Sequence, residues 1–213
     1  MNTLRVTGVI IFSLILILFS NIAVFSFVHL GIVAYKSFWF DLVSSLVFCV
    51  MLLGVPIVIT SRFLKLPLSA IGVRFPENTK ASLLCSFCVI AIFLPVIILF
   101  SKQTAFISYY AIKLSFLPFV VSVGASAAYY LAEEFFFHGF LLLYIQRWMG
   151  LHSIWITSVL FAWLHLGKPL PEIVFAFFLG IALSLLSLKT KSFLPAAFVH
   201  FILAAALIIC IQV

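Results

Sequence analysis

Seven apolar runs, near residues 8–30, 38–60, 81–100, 115–147, 151–166, 171–188 and 192–212, alternate with short polar gaps. A helix needs about 20 residues to cross the hydrocarbon of a bilayer. In lipid a spanning segment must satisfy its own backbone hydrogen bonds, which favours helices. The pattern predicts an all-α fold: a polytopic membrane bundle of about seven transmembrane helices, some shorter than a full crossing, in a single membrane domain over residues 1–213. The fourth run is too long for one crossing and is expected to project into water or break near Gly139. The longest polar stretch, 61–80, holds Arg62, Lys65, Arg74 and Lys80 and is interrupted by Pro67, Gly72 and Pro76. It reads as an interfacial loop with a short amphipathic turn. A second loop, 101–113, carries Lys102 and Lys113. There is no internal repeat.

Composition agrees with the pattern. The chain is 66% hydrophobic and 8% charged, whereas soluble domains are nearer half apolar and a quarter charged. The net charge of +7 does not indicate nucleic acid, because the bases lie in the gaps and form no stripe with exposed aromatics. They are topology signals instead. Arg5, the four bases of loop 61–80, Arg147, Lys189 and Lys191 fall on one side, and Lys36, Lys102, Lys113 and Lys168 on the other. The excess predicts a cytoplasmic N-terminus. The first run is longer than a signal-peptide core and lacks a clear small-x-small cleavage site, so it is expected to be an uncleaved span. Cys85 and Cys88 have C-x-x-C spacing inside an apolar run with no second pair, and read as small packing residues. The terminal Cys210-Ile211-Gln212-Val213 matches a prenylation box but ends an apolar helix without a polar spacer, and is read as coincidence.

Against this background the polar residues inside the runs stand out. Glu133 and Glu134 are two of only five acidic residues. A charge at the bilayer centre costs about 3 kcal/mol on insertion scales, and no Lys or Arg lies near them in their own segment. An intramembrane carboxylate marks a functional site by default. Two further runs carry Phe161-Ala-Trp-Leu-His165 and Phe198-Val-His200. With the turn near Gly150, Glu133 and Glu134 lie about 16 residues before it and His165 about 15 after, which puts them at one height in an antiparallel pair rising 1.5 Å per residue. Glu134 and His138 are four apart and share a helix face. Glu133 points about 100° away from Glu134. His200 lies shallower, a mismatch removed if the fourth and fifth helices protrude, which puts the cluster in the cytoplasmic half of the bilayer, reachable from that side.

The chemistry expected of such a cluster is water activation: a carboxylate as general base, imidazoles to orient the water or donate to an oxyanion. No Ser or Cys stands close in sequence, although Ser126 lies two turns upstream. Two histidines and a glutamate could also ligate zinc. The H-E-x-x-H spacing is absent, so the sequence does not favour a metal and no cofactor is expected.

Glu133-Glu134-Phe-Phe-Phe-His138-Gly139, Phe161-Ala-Trp-Leu-His165 and His200-Phe-Ile-Leu-Ala204 resemble, in order and spacing, the three motifs of the CPBP family of intramembrane proteases, also called the CAAX-protease and bacteriocin-processing, or Abi, family. The resemblance covers roughly residues 115–210. It implies Glu133 as general base with Glu134 as its partner, His165 as water-positioning residue, His200 as oxyanion ligand, and His138 and Phe161 in support. It also implies a glutamate-dependent mechanism without zinc, protein or peptide substrates with a membrane-associated C-terminal region, and residence in a bacterial inner (plasma) membrane. Two positions depart from the motifs: His138 stands where members carry Arg, and Ala204 where they carry Asn or Asp. The branch that handles C-terminal sorting tails is similar in this respect. Three functions remain in view. The first is an intramembrane endopeptidase cleaving near a substrate's C-terminus. The second is a catalytically inactive member acting as a membrane binding or immunity protein, which Ala204 favours. The third is a small proton-coupled transporter, which the lack of repeats disfavours.

Overall fold

The computed structural model describes residues 2–34, 37–110 and 116–212, and among these all regular structure is helical. Helix α1 runs Asn2–His29 and α2 runs Phe38–Phe63. A 3-10 turn at Leu68–Ile71 precedes α3 (Thr79–Ser101) and the short α4 (Thr104–Tyr110). Then come α5 (Phe116–Glu134), a π-helical segment (Phe135–Leu141) and α6 (Leu142–Met149). The chain ends with α7 (His152–Leu164), α8 (Leu170–Thr190) and α9 (Leu194–Gln212). Five helices (α1, α2, α3, α8 and α9) are long and apolar enough to cross a membrane, and α7 is a shorter apolar helix. This is an integral membrane protein built as a polytopic helical bundle.

Helix starts follow the usual chemistry. The Ser37 side chain accepts from the Phe40 N–H at 3.1 Å, and Asn78 accepts from Ala81 at 3.0 Å, each satisfying an otherwise orphan donor. Pro171 sits in the first turn of α8, where its missing N–H costs nothing. Gly150 at φ +54° reverses the chain between α6 and α7.

The fourth apolar run does not break at Gly139. It remains helical from Phe116 to Met149, with the turns of Phe135–Leu141 widened to π geometry. π segments are uncommon and frequent at functional sites. Here the widened turns bury every one of their side chains, His138 among four phenylalanines.

The polar stretch 61–80 is more than an interfacial loop. Its 3-10 turn packs against the π segment: a Cβ on Gly139 would stand 2.7 Å from the Ile71 carbonyl oxygen. Arg147 donates to the Ala70 carbonyl at 3.0 Å, and Ser192 to the Arg74 carbonyl at 2.6 Å. These contacts tie the loop, the end of α6 and the α8–α9 turn into one closed end of the bundle.

Gly139→Ala is therefore expected to destabilise by about 1–3 kcal/mol, the usual cost of overpacking a tight contact. Gly124→Ala in α5, where a Cβ meets nothing within 4 Å, is expected to be neutral or slightly stabilising. Thermal denaturation of the two variants in detergent checks both.

Candidate active site

Glu133 and Glu134 are the last two residues of α5, where the α-helix passes into the π segment. Both are buried, yet their surroundings differ as their 100° separation requires. Glu134 is engaged on both oxygens. Its Oε2 lies 2.5 Å from His138 Nδ1, and its Oε1 lies 2.7 Å from His200 Nδ1. His138 Nε2 lies 3.2 Å from the carbonyl of Gly180 in α8.

The hydrogen-bond partners constrain the protons. A carbonyl oxygen only accepts, so His138 Nε2 carries hydrogen. One further proton is then shared between His138 Nδ1 and Glu134 Oε2, and the pair is neutral overall wherever that proton sits. Gly180 makes the contact possible, because a Cβ there would stand 3.2 Å from Ser158 Cα and 3.3 Å from the Phe161 ring.

Glu133 is the opposite case. Its Oε1 is buried and has no protein hydrogen-bond partner. Carboxylate and imidazole atoms of Glu133, His165 and His200 all lie within 4.8 Å of one another. His165 caps the C-terminus of α7, and its Nδ1 donates to the Phe161 carbonyl at 2.9 Å. Its Nε2 therefore keeps a lone pair. His200 Nδ1 is held by Glu134, which likewise leaves Nε2 available. Phe161 is the common spacer, its ring centroid 5.4 Å from His138, 5.0 Å from His165 and 5.7 Å from His200. The π segment and three further helices thus bring together every residue singled out from the sequence: Glu133, Glu134, His138, Phe161, His165 and His200.

His165 and His200 line a small cavity of about 50 Å³ whose other polar residues are Tyr110, Tyr130, Lys168 and Glu172. Ala204 also lines it, so the third motif's unusual residue faces the same space. The Tyr130 ring lies 4.5 Å from the His200 ring. Glu172 Oε1 accepts from Tyr110 at 2.5 Å and from Lys168 at 2.9 Å, while its buried Oε2 has no protein partner. Sequence reading missed this trio. Lys168 and Glu172 at i, i+4 were legible as a pair, but nothing local indicated that they would share a cavity with His165.

The expected direction of access is corrected. The cavity does not open toward the basic turn at Gly150. His165 stands at the far end of α7 from that turn, and the lining residues of α9 begin at His200 and run toward its C-terminus.

Residues 114–206, a segment holding the whole cluster, match a protein-family model described as type II CAAX prenyl endopeptidase Rce1-like. This segment belongs to the CAAX-protease family. No curated protein and no solved structure matches the chain. The family supports a peptidase, so the cluster is a candidate peptidase centre within the CAAX-protease segment.

Stability separates the two glutamates. His138→Ala leaves Glu134 Oε2 buried without its partner, and removing one member of a buried pair typically costs about 3–5 kcal/mol. Glu133→Gln removes the charge from a buried carboxylate whose Oε1 no protein group satisfies, and is expected to leave the melting temperature unchanged or raised. Side-by-side thermal denaturation in detergent measures the contrast.

Proposed function

We propose that the protein is an intramembrane endopeptidase that cleaves near the C-terminus of membrane-associated or lipidated polypeptides with a glutamate-activated water. The observation that carries this reading is the unpartnered Oε1 of Glu133 beside two imidazoles whose Nδ1 atoms are already engaged. A water among these three groups gives one proton to Glu133 and one hydrogen bond to His165 Nε2. Its oxygen attacks the peptide carbonyl carbon, and the carbonyl electron pair moves to oxygen. His200, protonated on Nε2 and backed by Glu134, donates to that oxyanion. Collapse of the intermediate expels the amine, which takes the proton held by Glu133.

The same three donors also have the character of a zinc set, with the Phe161 carbonyl and Glu134 orienting the imidazoles from behind. Such an ion would polarise the carbonyl and bound water. Metal-free water activation is the preferred reading for a stereochemical reason. With Glu133 coordinated and Glu134 engaged on both oxygens, the cluster would have no carboxylate left as base.

An alternative is a catalytically inactive member that binds apolar segments in the membrane. Ala204 favours it, since a methyl group stands in the cavity where the family motif has a donor.

Purified protein offered tagged C-terminal peptides is expected to cleave them, with cleavage abolished in Glu133→Gln and His165→Ala. Binding without cleavage by the unaltered chain would establish the alternative. Ala204→Asn is expected to accelerate cleavage, toward the roughly 10²–10³-fold that one oxyanion donor supplies. Treatment with a chelator, followed by metal add-back, is expected to leave the rate unchanged.

A further inference from the structure

The buried cluster divides the bundle into a sealed end and an open end. Toward the Gly150 turn, Phe135, Phe136, Phe137 and Phe140 are fully buried. Behind them the loop around Ile71 closes on Gly139, anchored by Arg147 and Ser192. Toward the opposite end, the cavity beside His165 and His200 adjoins two further lobes that share Tyr110, Tyr130 and Ile208 with it.

The lining residues are distributed with one polarity on every helix. On α5 they all precede Glu133, from Phe119 to Tyr130. On α8 they precede Gly180, and on α9 none precedes His200. Those on α2 fall in its first eleven residues, Phe40 to Phe48, and those on α3 near its end. The described route into the cavity therefore leads from the end bearing Gln103, Tyr109 and Lys168.

Charge places the two ends relative to the cell. Among the described residues the sealed end carries Arg62, Lys65, Arg74, Lys80, Arg147, Lys189 and Lys191, against Lys102 and Lys168 at the open end; Lys36 and Lys113, counted on that side in the sequence, lie outside the described residues, and the excess stands with both included. Basic residues accumulate in cytoplasmic loops.

We propose that the cavity is fed from the extracytoplasmic face of the membrane, so that its substrates are exported polypeptides holding an apolar segment in the outer part of the bilayer, not chains presented from the cytosol. The apolar wall of Phe100, Phe106, Phe175 and Leu207 receives that segment, and the Lys168–Glu172–Tyr110 group forms the polar rim at the water-facing end. This rests on the peptidase reading for the word substrate, but the access route is measurable without any catalysis.

The test is cysteine accessibility. Cys49, Cys85, Cys88 and Cys210 are first replaced by Ser, and single cysteines are then introduced at Gln103 (open end), Glu77 (sealed end) and Ala204 (cavity). Intact cells are treated with a small sulfonated thiol reagent that does not cross membranes, and inverted vesicles are treated in parallel. Gln103→Cys and Ala204→Cys are expected to label in intact cells, and Glu77→Cys only in inverted vesicles. Ser126→Cys, which lines the adjoining lobes, replaces Ala204→Cys if that variant fails to accumulate. The same pattern is expected when Glu133→Gln is added, so failure of the protease reading leaves the access result intact. Labelling of the cavity cysteine together with Glu77→Cys, or from neither side, overturns the proposal. So does reversal of the whole pattern, which would make the open end cytoplasmic.

Discussion

A carboxylate far from water must find partners within the protein, and Glu134 is where this bundle meets that requirement. Its two oxygens take hydrogen bonds from His138 on its own helical rod and His200 on α9, and His138 continues to the backbone of α8 at Gly180. Three elements are thereby cross-linked through one buried side chain. The desolvation cost of such a group is recovered only if the whole network is satisfied. The π-helical turns after Glu134 follow from the same demand, because they turn His138 inward while keeping four phenylalanines packed around it.

With Glu134 satisfied, its neighbour Glu133 is not needed for the same network. Adjacent residues on a helix face different directions, so one carboxylate can be engaged on both oxygens while its neighbour keeps one oxygen without a protein partner. Glu133 Oε1 is such an orphan, and buried polar groups without partners are uncommon enough to require a reason. On the proposed reading, stability and reactivity fall to consecutive residues, and His200 stands beside both, bonded to Glu134 through Nδ1 and clustered with Glu133 and His165.

Much of this was legible in the chain. The hydrophobic runs located the long helices, because a membrane imposes length and leaves the backbone no alternative. The meeting of Glu134 with His138 followed from i, i+4 spacing, and that of Glu133 with His165 from counting residues out from Gly150. What could not be read was anything set by long-range packing. The π widening over Phe135–Leu141 has no marker in the hydrophobic pattern. The role of the 61–80 loop depends on the missing side chain of Gly139, which lets the Ile71 carbonyl come close. Lys168 and Tyr110 are 58 residues apart, and only the fold makes them partners of one carboxylate. The misread direction of access had a related source. Counting placed the residues at a common height but held no information on which side of that height the phenylalanines would close.

That closure gives the site its direction. Water activation needs a few water molecules and exclusion of the rest, and a phenylalanine layer backed by a docked loop supplies the exclusion on one side only. On the other side lies a mainly apolar cavity whose polar lining comprises the two imidazoles, Tyr110, Tyr130, Lys168 and Glu172. Because α7 is only 13 residues long, it ends inside the bundle rather than at the far surface. Its C-terminal His165 can then face the cavity while the chain turns through Lys168 into α8. A full-length helix in that place would carry the lysine out to the headgroups and separate it from the chemistry. The short helix thus sets the position of the imidazole relative to Gly150 and keeps Lys168 beside the cavity.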